Sequence, residues 1–114
     1  MTHLRPDQMA DLLRVSKRTI YRALKEERIE QALVRGRTVI KVPIELQSMQ
    51  HRGDRLLKPN EVAEILQCSR TSVYRWFNED ELSGLMLWGE TLRLYESGVE
   101  AFIEIREYNK EINV

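Results

Sequence analysis

The chain has 114 residues, 42% hydrophobic and 32% charged, with 18 Lys and Arg balancing 18 Asp and Glu. That composition belongs to a globular protein of one ordinary or two very small domains; no apolar run nears the roughly 20 residues of a membrane span, and the opening Met1-Thr-His-Leu-Arg-Pro-Asp7 lacks a signal-peptide core, so a cytoplasmic location is expected. The single cysteine, Cys68, excludes an intrachain disulfide or a cysteine metal site, and His3 and His51 lack metalloprotease spacing; no metal, cofactor, catalytic residue, membrane or small-molecule substrate is expected.

Zero net charge alone argues against a nucleic-acid partner, but the charge is unevenly placed. Residues 1–47 hold ten Lys and Arg against six Asp and Glu, whereas residues 57–102 hold four against eight. Opposite halves are a signal in themselves.

In chain order, Pro6 suits the first position of a helix, where its missing N–H costs nothing. Met9, Leu12 and Leu13 give that helix one apolar stripe, and Ala10 lets a second helix cross closely. Ser16 fits the N-cap of the second helix, because its oxygen can accept an orphan N–H. Ile20 and Leu24 form the inward face of that helix. Ala32 to Val42 reads as two β-prone runs about Gly36. Ser48 to Leu56 reads as a linker. The same signals then recur 53 residues on. Identical pairs are Leu4/Leu57, Pro6/Pro59, Ala10/Ala63, Leu13/Leu66, Ser16/Ser69, Tyr21/Tyr74, Arg22/Arg75, Glu26/Glu79, Gly36/Gly89 and Thr38/Thr91. Val62, Ile65 and Leu66 repeat the first stripe; Val73, Trp76 and Phe77 face inward on the second helix; Leu85 to Tyr95 repeats the hairpin. A gapless register runs from Leu4/Leu57 to Leu46/Val99 and marks a duplicated unit. The expected organisation is a first unit at 1–47, a linker at 48–56, and a second unit with a C-terminal helix at 57–114. The fold class is mainly α with short β hairpins, arranged as two tandem winged helix-turn-helix domains.

The stretch Leu57-Lys-Pro-Asn-Glu-Val-Ala-Glu-Ile-Leu-Gln-Cys-Ser-Arg-Thr-Ser-Val-Tyr-Arg-Trp-Phe77 resembles the excisionase-type, MerR-like helix-turn-helix family. The hairpin and Gly98-Val-Glu-Ala-Phe102 continue that resemblance, and Arg5 to Arg22 is a more divergent second copy. Two departures stand out. The family commonly has Gly in the turn where Arg14 and Gln67 stand, and a left-handed backbone there costs a non-Gly residue roughly 1 kcal/mol. Its first helix is usually capped by Ser or Thr, where this chain has Arg5 and Lys58.

The resemblance implies DNA as the partner, with the second helix of each unit in a major groove. On the first unit's second helix, Lys17, Arg18, Tyr21, Arg22 and Lys25 avoid the apolar face. The second unit offers Arg70, Thr71, Tyr74 and Arg75, with Asn78 opposite Lys25. Arg reads guanine bidentately, and Thr meets a thymine methyl or makes a polar contact. Tyr21, Tyr74 and the later arginines grip phosphate; either tyrosine could instead pack on its own hairpin. The first hairpin tip, Arg35-Gly-Arg37, suits a minor groove or its phosphates. The second, Trp88-Gly-Glu90, would repel phosphate, and Trp88 reads as a structural residue.

Cys68 reads as a small buried apolar group. Glu26, Glu27, Glu79, Asp80 and Glu81 read as solvated helix ends. Val99, Phe102, Ile103 and Ile105 share a helical face, for packing or for self-association. The expected function is sequence-specific double-stranded DNA binding by a transcriptional regulator of bacterial, phage or plasmid type. The alternatives are an excisionase-like architectural factor for recombination and a DNA-tethered module whose second unit binds a protein. No enzymatic activity is expected.

Overall fold

The computed structural model describes residues 2–112, with side chains as far as Glu107. The chain divides into two compact units, Met1–Asp54 and Arg55–Val114. In the first, the order is β1 (His3–Leu4), α1 (Pro6–Leu13), α2 (Lys17–Lys25), β2 (Gln31–Val34), β3 (Arg37–Lys41) and α3 (Ile44–His51). In the second it is β4 (Leu56–Leu57), α4 (Pro59–Leu66), α5 (Arg70–Asn78), β5 (Gly84–Leu87), β6 (Thr91–Tyr95) and α6 (Glu96–Ile112). Each unit carries an antiparallel sheet, β1-β3-β2 or β4-β6-β5.

The architecture is mixed α/β rather than mainly α, because each hairpin gains a third strand. β1 and β4 are only two residues long, too short to show alternation, and they pair with the far strands through Leu4↔Ile40 and Leu57↔Leu94. The stretch expected to be a linker is largely ordered. Ser48–His51 finish α3, Met49 is fully buried, and Leu56 lies in β4. Leu46 and Met49 are three apart, so they share one helix face.

The helices start and stop as their residues require. Pro6 and Pro59 stand at the first helical positions. Arg and Lys side chains cannot accept hydrogen bonds, so Arg5 and Lys58 cap only through the main chain. The Arg5 N–H donates to Gln8 Oε1 at 2.9 Å and the Lys58 N–H to Glu61 Oε1 at 2.8 Å. Both α1 and α4 end in the left-handed conformation, at Arg14 (φ 59°) and Gln67 (φ 52°). The N–H groups of Val15 and Cys68 then close back onto the carbonyls of Ala10 and Ala63, both at 3.0 Å. Among the described residues, the six non-glycine residues with positive φ form three pairs 53 apart: Arg14 and Gln67, Glu27 and Asp80, Arg35 and Trp88.

The 53-residue offset lengthens by one residue at the hairpin and is restored after β6. In the first hairpin Val34 pairs with Arg37, leaving a two-residue loop, Arg35-Gly36, with both residues left-handed. This is the loop geometry that matches strand twist. In the second hairpin Leu87 pairs with Thr91, so Glu90 is an added loop residue. From there β6 runs 54 residues after β3. Thr91 is the structural counterpart of Arg37, not of Thr38, and Leu92 takes the place of Thr38. The leucine alternation decides this. A one-residue slip sends every side chain to the other face of a sheet, and a gapless register would put Arg93 where Ile40 is buried. The added residue instead buries Leu92 and Leu94 at 1% and 0% exposure. The 53-residue spacing returns at the buried pairs Leu46/Val99 and Met49/Phe102.

The second unit's core joins Leu57, Val62, Val73, Leu82, Leu92, Leu94, Val99 and Phe102. In the first unit Leu4, Met9, Leu13, Ile20, Ile40, Leu46 and Met49 are buried. Burying each such side chain contributes about 1.5–3 kcal/mol, which holds the second helix of each unit in place.

Candidate nucleic-acid interface

In α2, Ile20, Ala23 and Leu24 are buried. At about 100° per residue, that leaves Lys17, Arg18, Tyr21, Arg22 and Lys25 on one arc, and all five are exposed. The arc is held by its cap: the Thr19 N–H donates to Ser16 Oγ at 3.2 Å, and the two hydroxyls meet at 2.9 Å. α5 repeats this, with the Ser72 N–H donating to Ser69 Oγ at 3.2 Å. Arg70, Thr71 and Arg75 are exposed, while Tyr74 is half-buried against the second unit's core. Tyr21, by contrast, is 56% exposed.

The ion pairs sort the cations. Arg5 pairs with Asp7, Arg28 with Glu26, Lys41 with Glu30, Arg52 with Asp54, Arg55 with Glu96 and Arg106 with Glu81. Among the described residues, no carboxylate lies within ion-pair distance of Lys17, Arg18, Arg22, Lys25, Arg35, Arg37 or Arg70. Those seven stand on the exposed arcs of α2 and α5 and at the first hairpin tip.

A groove lies between α2, the start of α1 and the first hairpin, lined in part by Arg5, Pro6, Tyr21, Val34, Arg35 and Arg37. It brings Tyr21 and the hairpin arginines to one place. Sequence reasoning left Arg5 only a capping role; the β1–β3 pairing, which no spacing announces, carries it to this groove. Its guanidinium hydrogen-bonds Asp7, holding that carboxyl below the ordinary range.

The second unit is built differently behind its helix. Trp76 meets Phe102 with centroids 4.9 Å apart, and Arg106 lies 3.9 Å from the Phe102 centroid and 5.4 Å from that of Trp76. Arg75 reaches the same indole at 5.8 Å. Cys68 packs against this core as a small apolar group. Ile103 packs there too, whereas Ile105 is 59% exposed.

Residues 56–106 match the family model described as a helix-turn-helix domain. No curated protein and no solved structure matches the chain. A helix-turn-helix domain is therefore present in residues 56–106, a DNA-binding motif whose second helix enters the major groove. Among the described residues, no helix is long and apolar enough to cross a membrane.

Proposed function

We propose that the chain binds double-stranded DNA sequence-specifically through two tandem winged helix-turn-helix units of the excisionase-type, MerR-like kind, as a transcriptional regulator. One observation carries this reading: the exposed arc of α2 presents four cations that no carboxylate neutralises among the described residues. A solvated helix face ordinarily mixes charges, and i,i+4 pairs satisfy it; an arc of free cations fits a polyanion. α2 and α5 are the two recognition helices, and the hairpins are the wings. Arg35 and Arg37 at the first wing meet phosphate or enter the minor groove. The first unit supplies the electrostatic grip, and the second orients the complex and reads further bases.

A second reading applies to the second unit alone. Its acidic balance and the added Glu90 at its hairpin tip favour a protein partner over phosphate at that tip.

The test is an anisotropy titration of the full chain with labelled mixed-sequence duplex. We expect salt-sensitive binding, with Arg18→Ala/Arg22→Ala nearly abolishing it. Absence of binding, or an unchanged affinity in that variant, would overturn the reading.

A further inference from the structure

We infer that Arg18 and Thr71 make the two halves of the DNA site chemically different, Arg18 selecting guanine and Thr71 selecting thymine at the equivalent position. The inference rests on the DNA-binding reading above and deepens it to base preference.

The two positions are matched in the backbone. Each follows a left-handed turn residue, Arg14 at φ 59°, ψ 43° and Gln67 at φ 52°, ψ 51°. Each lies two residues after an N-cap serine with ψ 157°, on a helix of nine residues. Residues 18 and 71 therefore leave their helices at the same height and angle. Both are exposed, and neither is engaged in a hydrogen bond or ion pair among the described residues. The neighbouring hydroxyls are occupied, Ser16 with Thr19 at 2.9 Å and Ser69 with Ser72 at 3.1 Å. Residues 18 and 71, like 17 and 70 before them, are therefore unengaged first-turn groups among the described residues, where a recognition helix points at base edges.

The remaining arc positions do not separate the halves in the same way. A cation stands at both 17 and 70, tyrosine at both 21 and 74, and arginine at both 22 and 75. Lys25 and Asn78 differ, but they close their helices, away from the end that meets the bases. Only 18 and 71 change chemical class in the first turn. The fork of an arginine fits O6 and N7 of guanine, whereas a threonine presents a methyl to the C5-methyl of thymine. One backbone thus carries two different readers, and the site cannot be a symmetric repeat.

The experiment is in vitro selection from random duplex DNA with the full chain, Thr71→Arg, and the charge-conserving variant Arg18→Thr/Thr71→Arg. Wild type should fix guanine in one half-site and thymine at the corresponding place in the other. Thr71→Arg should acquire guanine in the second half-site and keep the first. The double variant should move the guanine from one half to the other. In competition, the wild-type guanine should be worth about tenfold or more in affinity. Deoxyuridine in place of the selected thymine, lacking only the methyl, should cost about fourfold. Identical selected sequences from wild type and Thr71→Arg would overturn the assignment while leaving DNA binding intact. If wild type enriches no sequence, the reading beneath it fails as well.

Discussion

At the scale of single residues, the distribution of counter-charges matters more than the number of cations. Arg28 and Lys41 stand at the base of the first hairpin and are paired with Glu26 and Glu30, so their charge is spent locally. Arg35 and Arg37 flank a glycine around which a Cβ would meet only open space, and both are exposed without a carboxylate partner among the described residues. Arg35 also holds a left-handed backbone, φ 55°, a conformation that costs an L-residue about 1 kcal/mol. If these arginines contact phosphate, each releases a counterion, and log Kd rises with log salt by about 0.9 per contact. Arg35→Ala/Arg37→Ala should therefore flatten the slope by about two, read by titration at several sodium chloride concentrations. A slope equal to wild type would take this tip off the DNA backbone.

At the scale of elements, the second hairpin yields a prediction that a gapless repeat would invert. Deleting Glu90 joins Leu87 to Thr91 through Trp88-Gly89, the same loop length as Val34 to Arg37. Trp88 and Gly89 already have positive φ, at 52° and 74°, so the shorter turn is preformed. The deletion should keep Leu92 and Leu94 in the core and change stability by no more than about 1 kcal/mol, measured by chemical denaturation. Were the gapless register correct, the deletion would rotate the leucines out and cost several kcal/mol, as core losses do. This hairpin also marks how far the fold could be read from sequence. The first two helices of each unit, with Ser16 and Ser69 as caps, were legible because they rest on local chemistry, and the left-handed turn at Arg14 and Gln67 followed from the family resemblance. The strand shift was not, because identical Thr38 and Thr91 masked an added residue that only cross-strand pairing reveals. β1, β4 and α3 were missed for a related reason: two residues or eight with few apolar positions carry too little periodicity, and burial of Leu4, Leu57 and Met49 depends on distant partners. For the candidate interface, the exposed arc of α2 followed from its apolar face. Arg5 beside Tyr21 did not, since the groove exists only once the sheet has formed.

At the scale of the whole chain, a net charge of zero gives little long-range attraction to DNA, so on the proposed reading affinity comes from local clusters and from joining two of them. A tether makes the second contact intramolecular, with an effective concentration in roughly the millimolar range. Even a weak second unit then contributes to binding. On the proposed reading that unit is the weaker one. Its α5 presents two cations in place of four, its Tyr74 is half-buried against the core, and Arg75 is shared with the Trp76 ring. If the first unit binds tightly and the second reads through the tether, as proposed, the response to loss of the second is graded. Arg70→Ala/Arg75→Ala should shorten the nuclease footprint to one half-site, because the first unit still holds its own groove. Affinity should fall toward that of a single unit, without the near-abolition expected of Arg18→Ala/Arg22→Ala. A full-length footprint from the Arg70→Ala/Arg75→Ala protein would take α5 off the DNA and assign the acidic second unit to a protein partner instead.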